Sequence, residues 1–325
     1  MPTIRRHLAA LCSGLCLIAV MCRAQEINWL EPDKPFERVI TAEQTDSYQF
    51  TLTAGQFMRV LVEQTGCDVA LTLIAPDGKT VVESKLNRPN GLESLSYEAA
   101  TSGDYRLQLR PFKLTDNYPN PGAYQVRVSD FTGAYRLRLE TRAAATTQDR
   151  QRIEAERRLA EAYRMGKQAG ATPQQKEEKA QQALALFRTL GDNYWDATTL
   201  SLIGTAHYAA NQLDKAADWY MQALMIWRTI GDKVNEAHSL NDLGWAYHTG
   251  KNFAKAEECF GQSLALAKSY NNRADVAHAL SNLSSVQEAQ GLRKNAIEYL
   301  EQVLPLCRTV RDQQYELHVL IRLGQ

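Results

Sequence analysis

The feature that most constrains this chain is a similarity that returns every 40 residues through its second half. Aliphatic residues recur at three positions of the unit, and alanine recurs at a fourth. The aligned columns are Leu200, Leu240, Leu280 and Leu320; Ile203, Leu243, Leu283 and Leu323; Ala216, Ala256 and Ala296; and Leu224, Leu264 and Leu304. A fixed period of this length indicates stacked structural repeats.

Within each unit the apolar residues follow helical spacing in two consecutive runs. Leu200 and Ile203 lie on the first run, and Ala216 and Tyr220 lie on the second. This spacing predicts that every unit is a helical hairpin. A glycine at Gly204 lets the two helices approach closely and leaves room for the ring of Tyr220.

One unit follows the pattern of a known repeat. Its matching residues are Leu243-Gly244, Tyr247, Gly250, Ala256, Phe260 and Leu264, after an ending Ile230-Gly231-Asp232. Residues 193–325 therefore resemble tetratricopeptide repeats, about three of them plus a truncated one. Ser284 and Gln287 depart from the pattern in the third unit. Leu190-Gly191-Asp192 copies the ending upstream, which predicts an irregular first hairpin over residues 151–192 that caps the stack.

Residues 36–141 alternate between apolar and polar positions, as half-buried strands do. The clearest runs are 48–52, 58–62, 69–73, 103–109, 122–128 and 133–139, with a hairpin turn over 75–79. Several short strands without a helical period predict an antiparallel sandwich or jelly roll. The fold class is therefore multidomain, with a small all-β sandwich, a linker at 142–150 and an all-α solenoid.

The sandwich resembles the bacterial pre-peptidase C-terminal type, on the order of Asp46-Ser47-Tyr48, a Pro-Asp-Gly turn and Gly103-Asp104-Tyr105. The resemblance implies an accessory domain that contacts carbohydrate or protein. We interpret the strand tyrosines as core residues. Tyr118, in a loop, is the candidate for a glycan contact.

The first 24 residues predict a cleaved signal peptide, because Arg5 and Arg6 precede an apolar run from Leu8 to Met21. The run is short for a membrane span, and Met21 before Cys22 fits a lipoprotein poorly. We therefore expect an exported protein, periplasmic or extracellular, without a stable membrane span after cleavage. Lys plus Arg equals Asp plus Glu at 37 each, so the charge pattern of a nucleic-acid binder is missing.

Three cysteines remain after cleavage, Cys67, Cys259 and Cys307, and their scattered positions predict neither a disulfide framework nor a zinc site. No phosphate-binding loop, zinc-peptidase motif or serine nucleophile motif occurs in the sequence. We therefore expect no catalytic, cofactor-binding or metal-binding residues in this chain, and predict that it is not an enzyme.

The resemblance to tetratricopeptide repeats implies a groove lined by the first helices that binds a protein or peptide. The candidate groove residues are Ser201, Tyr208, His238, Asn241, Trp245, His248, His278, Ser281 and Asn282. His238 and His278 are one repeat apart, too far to share a metal. Trp245 either anchors a peptide or packs between repeats. Asn282 and Arg322 alone hint at a site for an acidic tail, which we therefore do not expect.

The chain stops inside the first helix of a further repeat, so we expect sequence beyond residue 325. The order of signal peptide, sandwich and 40-residue repeats resembles the N-terminal half of bacterial CHAT-domain proteins, which carry a caspase-like cysteine peptidase after the repeats. Three functions follow: a non-catalytic exported scaffold, the substrate-recruiting half of such a peptidase, or a glycan-binding module. The sequence predicts no oligomeric state.

Overall fold

The computed structural model describes residues 28–41, 44–85, 91–111, 132–165, 172–309 and 313–324. Within these ranges nine strands form a β-sandwich and nine helices follow it as a repeat solenoid. The multidomain architecture predicted from the sequence is confirmed. The signal segment at 1–24, Tyr118 and the strand predicted over 122–128 lie outside the described residues.

The sandwich consists of two sheets. Its strands are β1 (Asn28–Trp29), β2 (Phe36–Thr41), β3 (Asp46–Leu52), β4 (Phe57–Thr65), β5 (Val69–Ile74), β6 (Thr80–Ser84), β7 (Leu92–Glu98), β8 (Gly103–Pro111) and β9 (Thr132–Arg142). The first sheet has the order β1-β3-β8-β5-β6 and the second β2-β9-β4-β7. All pairs are antiparallel except β1 with β3. Among the described strands, β7 is therefore an edge of the second sheet.

The two sheets share one hydrophobic core, to which Leu107 of β8 and Val60 of β4 both belong. Tyr105 and Tyr135 are buried in it, as the sequence predicts. The Tyr135 hydroxyl bonds with that of Tyr48 across the core and donates to Asp46. Burial and these bonds raise the pKa of Tyr135, so its hydroxyl stays protonated and its polarity is satisfied inside the core.

Several of the strands were not predicted from the sequence. β1 pairs with β3 ahead of residue 36, and β2, β6 and β7 were not singled out. β7 reads as polar because of Ser94 and Ser96, yet both serines are buried. The stretch predicted as a linker, residues 142–150, contains the end of β9 and the start of the first helix.

The solenoid consists of consecutive helical hairpins. Its helices are α1 (Thr147–Met165), α2 (Pro173–Thr189), α3 (Asn193–Ala209), α4 (Leu213–Ile230), α5 (Lys233–Thr249), α6 (Phe253–Ser269), α7 (Arg273–Ala289), α8 (Arg293–Thr309) and α9 (Gln313–Gly324). Each helix packs against the one before and the one after it. The hairpins α3–α4, α5–α6 and α7–α8 correspond to the three 40-residue units.

The turns before α3 and α5 are built the same way. Gly191 and Gly231 adopt positive φ angles of 66° and 75°, and the next residue begins a new helix. That residue is Asp192 or Asp232, whose side chain accepts a hydrogen bond from the first turn of α3 or α5. Glycine tolerates this backbone conformation and aspartate is a preferred helix cap, so the Gly-Asp ending has a structural reason.

Close helix contact inside each hairpin explains the repeated glycine. A Cβ on Gly204 would stand 2.7 Å from the ring of Tyr220, and one on Gly244 would stand 2.5 Å from the ring of Phe260. In the third hairpin Ser284 replaces the glycine, and Leu300 stands where the other hairpins have the ring. The larger residue on one helix is thus matched by a smaller one on its partner.

Candidate binding site

The first helices of the repeats form the inner side of the stack. α3 contacts α5 and α5 contacts α7 directly, in addition to the second helices between them. We call the surface they present the inner face, defined by the residues predicted from the repeat register: Ser201, Tyr208, His238, Asn241, Trp245, His248, His278, Ser281 and Asn282. All of them lie on α3, α5 or α7.

Two asparagines join neighbouring repeats at the centre of the inner face. The Asn282 side-chain nitrogen donates to the Asn241 side-chain oxygen at 3.1 Å. Asn282 is buried and Asn241 half-buried. A side-chain amide has two donor hydrogens and two acceptor lone pairs, so this bond uses only part of the capacity of each. Such amides can pair with a peptide backbone.

An arginine from α9 reaches back over α7. Arg322 donates to the Ser281 hydroxyl at 2.9 Å and to the Ser284 hydroxyl at 2.8 Å. It also forms an ion pair of 2.9 Å with Glu288, whose side chain is 42% exposed while that of Arg322 is 10% exposed. The one arginine that hints at an acidic-tail site is thus already paired with a carboxylate of its own chain.

His238 and His278 both act on Asp275 but differ in their nearest contacts. The His238 Nε2 atom lies 3.7 Å from an Asp275 carboxylate oxygen, whereas His278 packs its ring edge-on to Tyr315 at 5.4 Å between centroids. Burial alone would raise the pKa of Asp275, but His238 and Tyr270 lower it below its ordinary value. Among the described residues, no group of three His, Cys, Asp or Glu side chains could hold a metal ion.

The aromatic side chains of the inner face are held by packing. The Trp245 ring meets Phe260 of its own hairpin at 5.6 Å and His248 at 5.0 Å, both edge-on. Trp245 remains 9% exposed. The Tyr208 hydroxyl bonds with the Thr249 hydroxyl of the next repeat at 2.9 Å. Packing within and between repeats therefore accounts for most of the surface of both rings.

The remaining chemistry of the inner face consists of amides, hydroxyls and imidazoles. Ser201 is half-buried, and its backbone carbonyl accepts from Thr205 at 2.9 Å. Charged groups on or beside this face include the Arg322–Glu288 pair, Asp275 near His238, and Asp242 near Tyr208. Hydrogen-bonding groups thus lie on the first helices of three successive repeats, α3, α5 and α7.

The sequence analysis mentioned Arg322 only as a hint of an acidic-tail site, and it did not identify Asp275 at all. Arg322 follows Asn282 by one repeat, so the register itself could have placed it on the inner face. Asp275 gives no such signal, because the other repeats have Asn235 and Tyr315 at its position. Its role depends on His238 from the neighbouring helix, which only the packing of α5 against α7 brings near.

Comparison with known proteins identifies the repeats. Residues 251–309 match a family model described as tetratricopeptide repeat. No match was found among curated proteins. None of the helices in the described ranges is long and apolar enough to cross a membrane.

Similar solved structures include repeat proteins and a sandwich. The TPR-like repeats of a kinesin light chain from Podosopora anserina share 17% identity, over 55% of this chain and 96% of that chain, with a TM-score of 0.40. The apo form of RapI shares 14% identity, over 54% of this chain and 62% of that chain, with a TM-score of 0.47. The pre-peptidase C-terminal domain of a collagenase from Bacillus anthracis shares 16% identity, over 36% of this chain and 98% of that chain, with a TM-score of 0.27.

The residues of the family match lie within the stacked helical hairpins. Tetratricopeptide repeats bind protein partners, and the chain carries them on a solenoid attached to a β-sandwich.

Proposed function

We propose that this protein is a non-catalytic scaffold that binds an extended peptide segment of a partner protein along the inner face. The observation that carries the proposal is the Asn241–Asn282 pair, two amides on successive first helices with unused hydrogen-bonding capacity. Main-chain hydrogen bonds to an extended peptide give affinity, and neighbouring pockets give specificity. His238 and Ser281 border this pair along the same helices.

The experiment is a selection of peptides from a displayed library on the full chain, followed by measurement of Kd for the selected peptides. The double variant Asn241→Ala/Asn282→Ala should weaken binding about tenfold or more, since buried hydrogen bonds to a ligand are lost. The matched control is Met225→Ala, on an exposed position of the second helix α4. Peptides whose Kd changes with Met225 and not with the asparagines would place the binding surface on the outer side.

We further propose that the protein is exported after removal of residues 1–24. The support is the pair Arg5 and Arg6 followed by the apolar run 8–21. Mass spectrometry of the protein expressed with its own N-terminus in a bacterial host should find a mature form that starts near Gln25 in the periplasm or medium. An intact N-terminus in the cytoplasmic fraction would refute export.

A second candidate function is recruitment for a caspase-like peptidase. It is supported by the order of a β-sandwich and 40-residue repeats, which resembles the N-terminal half of CHAT-domain proteins. Peptides selected on the inner face would then resemble substrate segments, and an added CHAT peptidase should cleave proteins that carry them faster than proteins that do not. Equal cleavage of both would leave the scaffold function alone.

A further inference from the structure

The contact between the sandwich and the solenoid involves residues that the inner face does not use. α1 lies against β7, Asp192 in the turn before α3 lies near Arg59 of β4, and Tyr194 at the start of α3 bonds to the start of β7. From this contact we propose that the β-sandwich is the N-terminal cap of the solenoid, with Glu156 and Tyr194 of the helices completing the free edge of β7. This role goes beyond partner binding, because it assigns a structural function to the sandwich.

Glu156 on α1 serves the edge of β7. Its carboxylate accepts from the Ser96 backbone N–H at 2.7 Å, from the Ser96 hydroxyl at 3.1 Å and from the Ser94 hydroxyl at 2.8 Å. Only 8% of Glu156 is exposed. β7 pairs with β4 on its other side, so this backbone N–H would otherwise be an open edge group. A buried carboxylate needs such donors to be tolerated.

Tyr194 serves the same edge from the first repeat. Its hydroxyl accepts from the Leu92 backbone N–H at 2.7 Å. Its ring packs edge-on against Trp227 of α4 at 5.1 Å and against Trp195 at 5.5 Å. Burial raises the pKa of Tyr194, so the group stays a neutral phenol. Tyr194 thus links the edge of the sandwich to the core of the α3–α4 hairpin.

Charged side chains from both domains lie beside these hydrogen bonds. Arg152 of α1 pairs with Asp192 at 2.6 Å, and Arg59 of β4 approaches the same carboxylate at 3.9 Å. Asp192 is also the cap of α3. Burial lowers the pKa of Arg59, and the negative charges of Glu156 and Asp192 oppose that shift. Two arginines and two acids therefore lie close together where the two domains meet.

The position of α1 makes this contact a cap. Ala155 and Leu159 of α1 pack in a core with Phe187 of α2 and Trp195 of α3, while Glu156 bonds to Ser94 and Ser96 of the sandwich. α1 is therefore covered on both sides. The end repeats of a solenoid need a covering surface to remain folded and soluble, and here the outer surface of the second sheet supplies it.

The test is peptide-resolved hydrogen exchange on the full chain. Glu156→Ala should speed exchange at the Ser96 amide and also throughout α1, α2 and α3, by about tenfold or more, because a buried hydrogen-bonded charge is removed. The matched control is Arg157→Ala on the exposed side of the same helix, for which less than about a twofold change is expected. Faster exchange confined to β7 would refute the cap.

Tyr194→Phe provides a second, milder test in case Glu156→Ala fails to fold. It keeps the ring contacts with Trp195 and Trp227 and removes only the hydroxyl. Exchange at the Leu92 amide and in α3 should rise together, by about threefold or more. A rise at Leu92 with α3 unchanged would show that the domains are neighbours without being coupled, and would also overturn the proposal.

Discussion

At the scale of single residues, the inner face shows how a neighbouring helix changes what a side chain does. Asn241 and Trp245 both lie on α5, at positions that the 40-residue register defines from helical geometry alone. Their contacts did not follow from it. The hydrogen bond to Asn282 and the ring contact with Phe260 depend on the distance between packed helices, which no single repeat specifies.

The close approach at Gly244 gives a direct prediction. Gly244→Ala should lower the free energy of unfolding by about 1–2 kcal/mol, since the new methyl would overlap the ring of Phe260. Gly261→Ala is the control, because nothing lies within 4 Å of its Cβ position. It should stabilise the protein by about 0.5–1 kcal/mol, the usual gain for alanine in a helix. Urea denaturation measures both.

A rescue separates overlap from other effects. Adding Phe260→Leu to Gly244→Ala reproduces the pairing of a larger residue with Leu300 in the third hairpin. The double variant should lose less stability than the sum of the two single variants, because the methyl then has space. Additive losses would contradict the overlap.

Asp275 gives a prediction about pH. His238 and Tyr270 overcome burial and hold its pKa below the ordinary value. A lowered pKa in the folded state stabilises the fold above the ordinary aspartate pKa of about 3.9, and this stabilisation is lost as the pH falls through the folded-state pKa. Wild type should therefore exceed Asp275→Asn in unfolding free energy by about 1–3 kcal/mol above roughly pH 5.

The same difference should shrink as the pH falls below about 4. Denaturant unfolding at several pH values measures it. Asp218→Asn, on the exposed side of α4, serves as the control and should show little difference at any pH. A gap between wild type and Asp275→Asn that widens toward low pH would contradict the assigned direction.

At the scale of elements, the helices were easier to predict than the strands. The hairpins have long apolar runs of one period, and the Gly-Asp ending marks where α3 and α5 begin, while Asn271-Asn272 precedes α7. β7 was missed because Ser94 and Ser96 suggest a solvent-exposed strand, whereas Glu156 of α1 covers them. A strand that is polar on the side facing another domain has no signature of its own in the sequence.

Removal of a helix cap tests the turn between repeats. The Asp232 side chain accepts from the Asn235 backbone N–H at 3.0 Å. Asp232→Ala should lower the free energy of unfolding by about 1 kcal/mol and speed exchange in the first turn of α5. Glu301→Ala, on the exposed side of α8, should do neither. Equal effects of the two substitutions would mean that the cap contributes nothing.

At the scale of the whole molecule, the succession of sandwich and solenoid could be predicted because alternation and helical period do not overlap along the chain. The contact between the two domains could not. It depends on Arg59, Glu156 and Tyr194, which lie far apart in sequence and belong to no shared pattern. The stretch around 142–150 was predicted to separate the domains, yet α1 begins there and lies against the sandwich.

The buried thiols report on both domains. Burial raises the pKa of Cys67 in the sandwich and of Cys259 in α6 to about 11, and Cys307 is buried in α8. At pH 8 each should react with iodoacetamide at least about 100-fold more slowly in the folded chain than in urea, because burial blocks access to all three and the raised pKa also removes thiolate at Cys67 and Cys259. Site-resolved mass spectrometry measures the rates, and equally fast labelling in both conditions would contradict the burial.

The uniform turn between repeats has a consequence for how such a chain can change over generations. Gly191 and Gly231 have the same backbone conformation, and an aspartate caps the helix that follows each of them. A duplicated repeat inserted at one of these turns would pack against repeats of the same kind on both sides. Recombination could therefore lengthen or shorten the recognition surface in whole steps, and adapt it to longer or shorter partners, while the sandwich at its head stayed as it is.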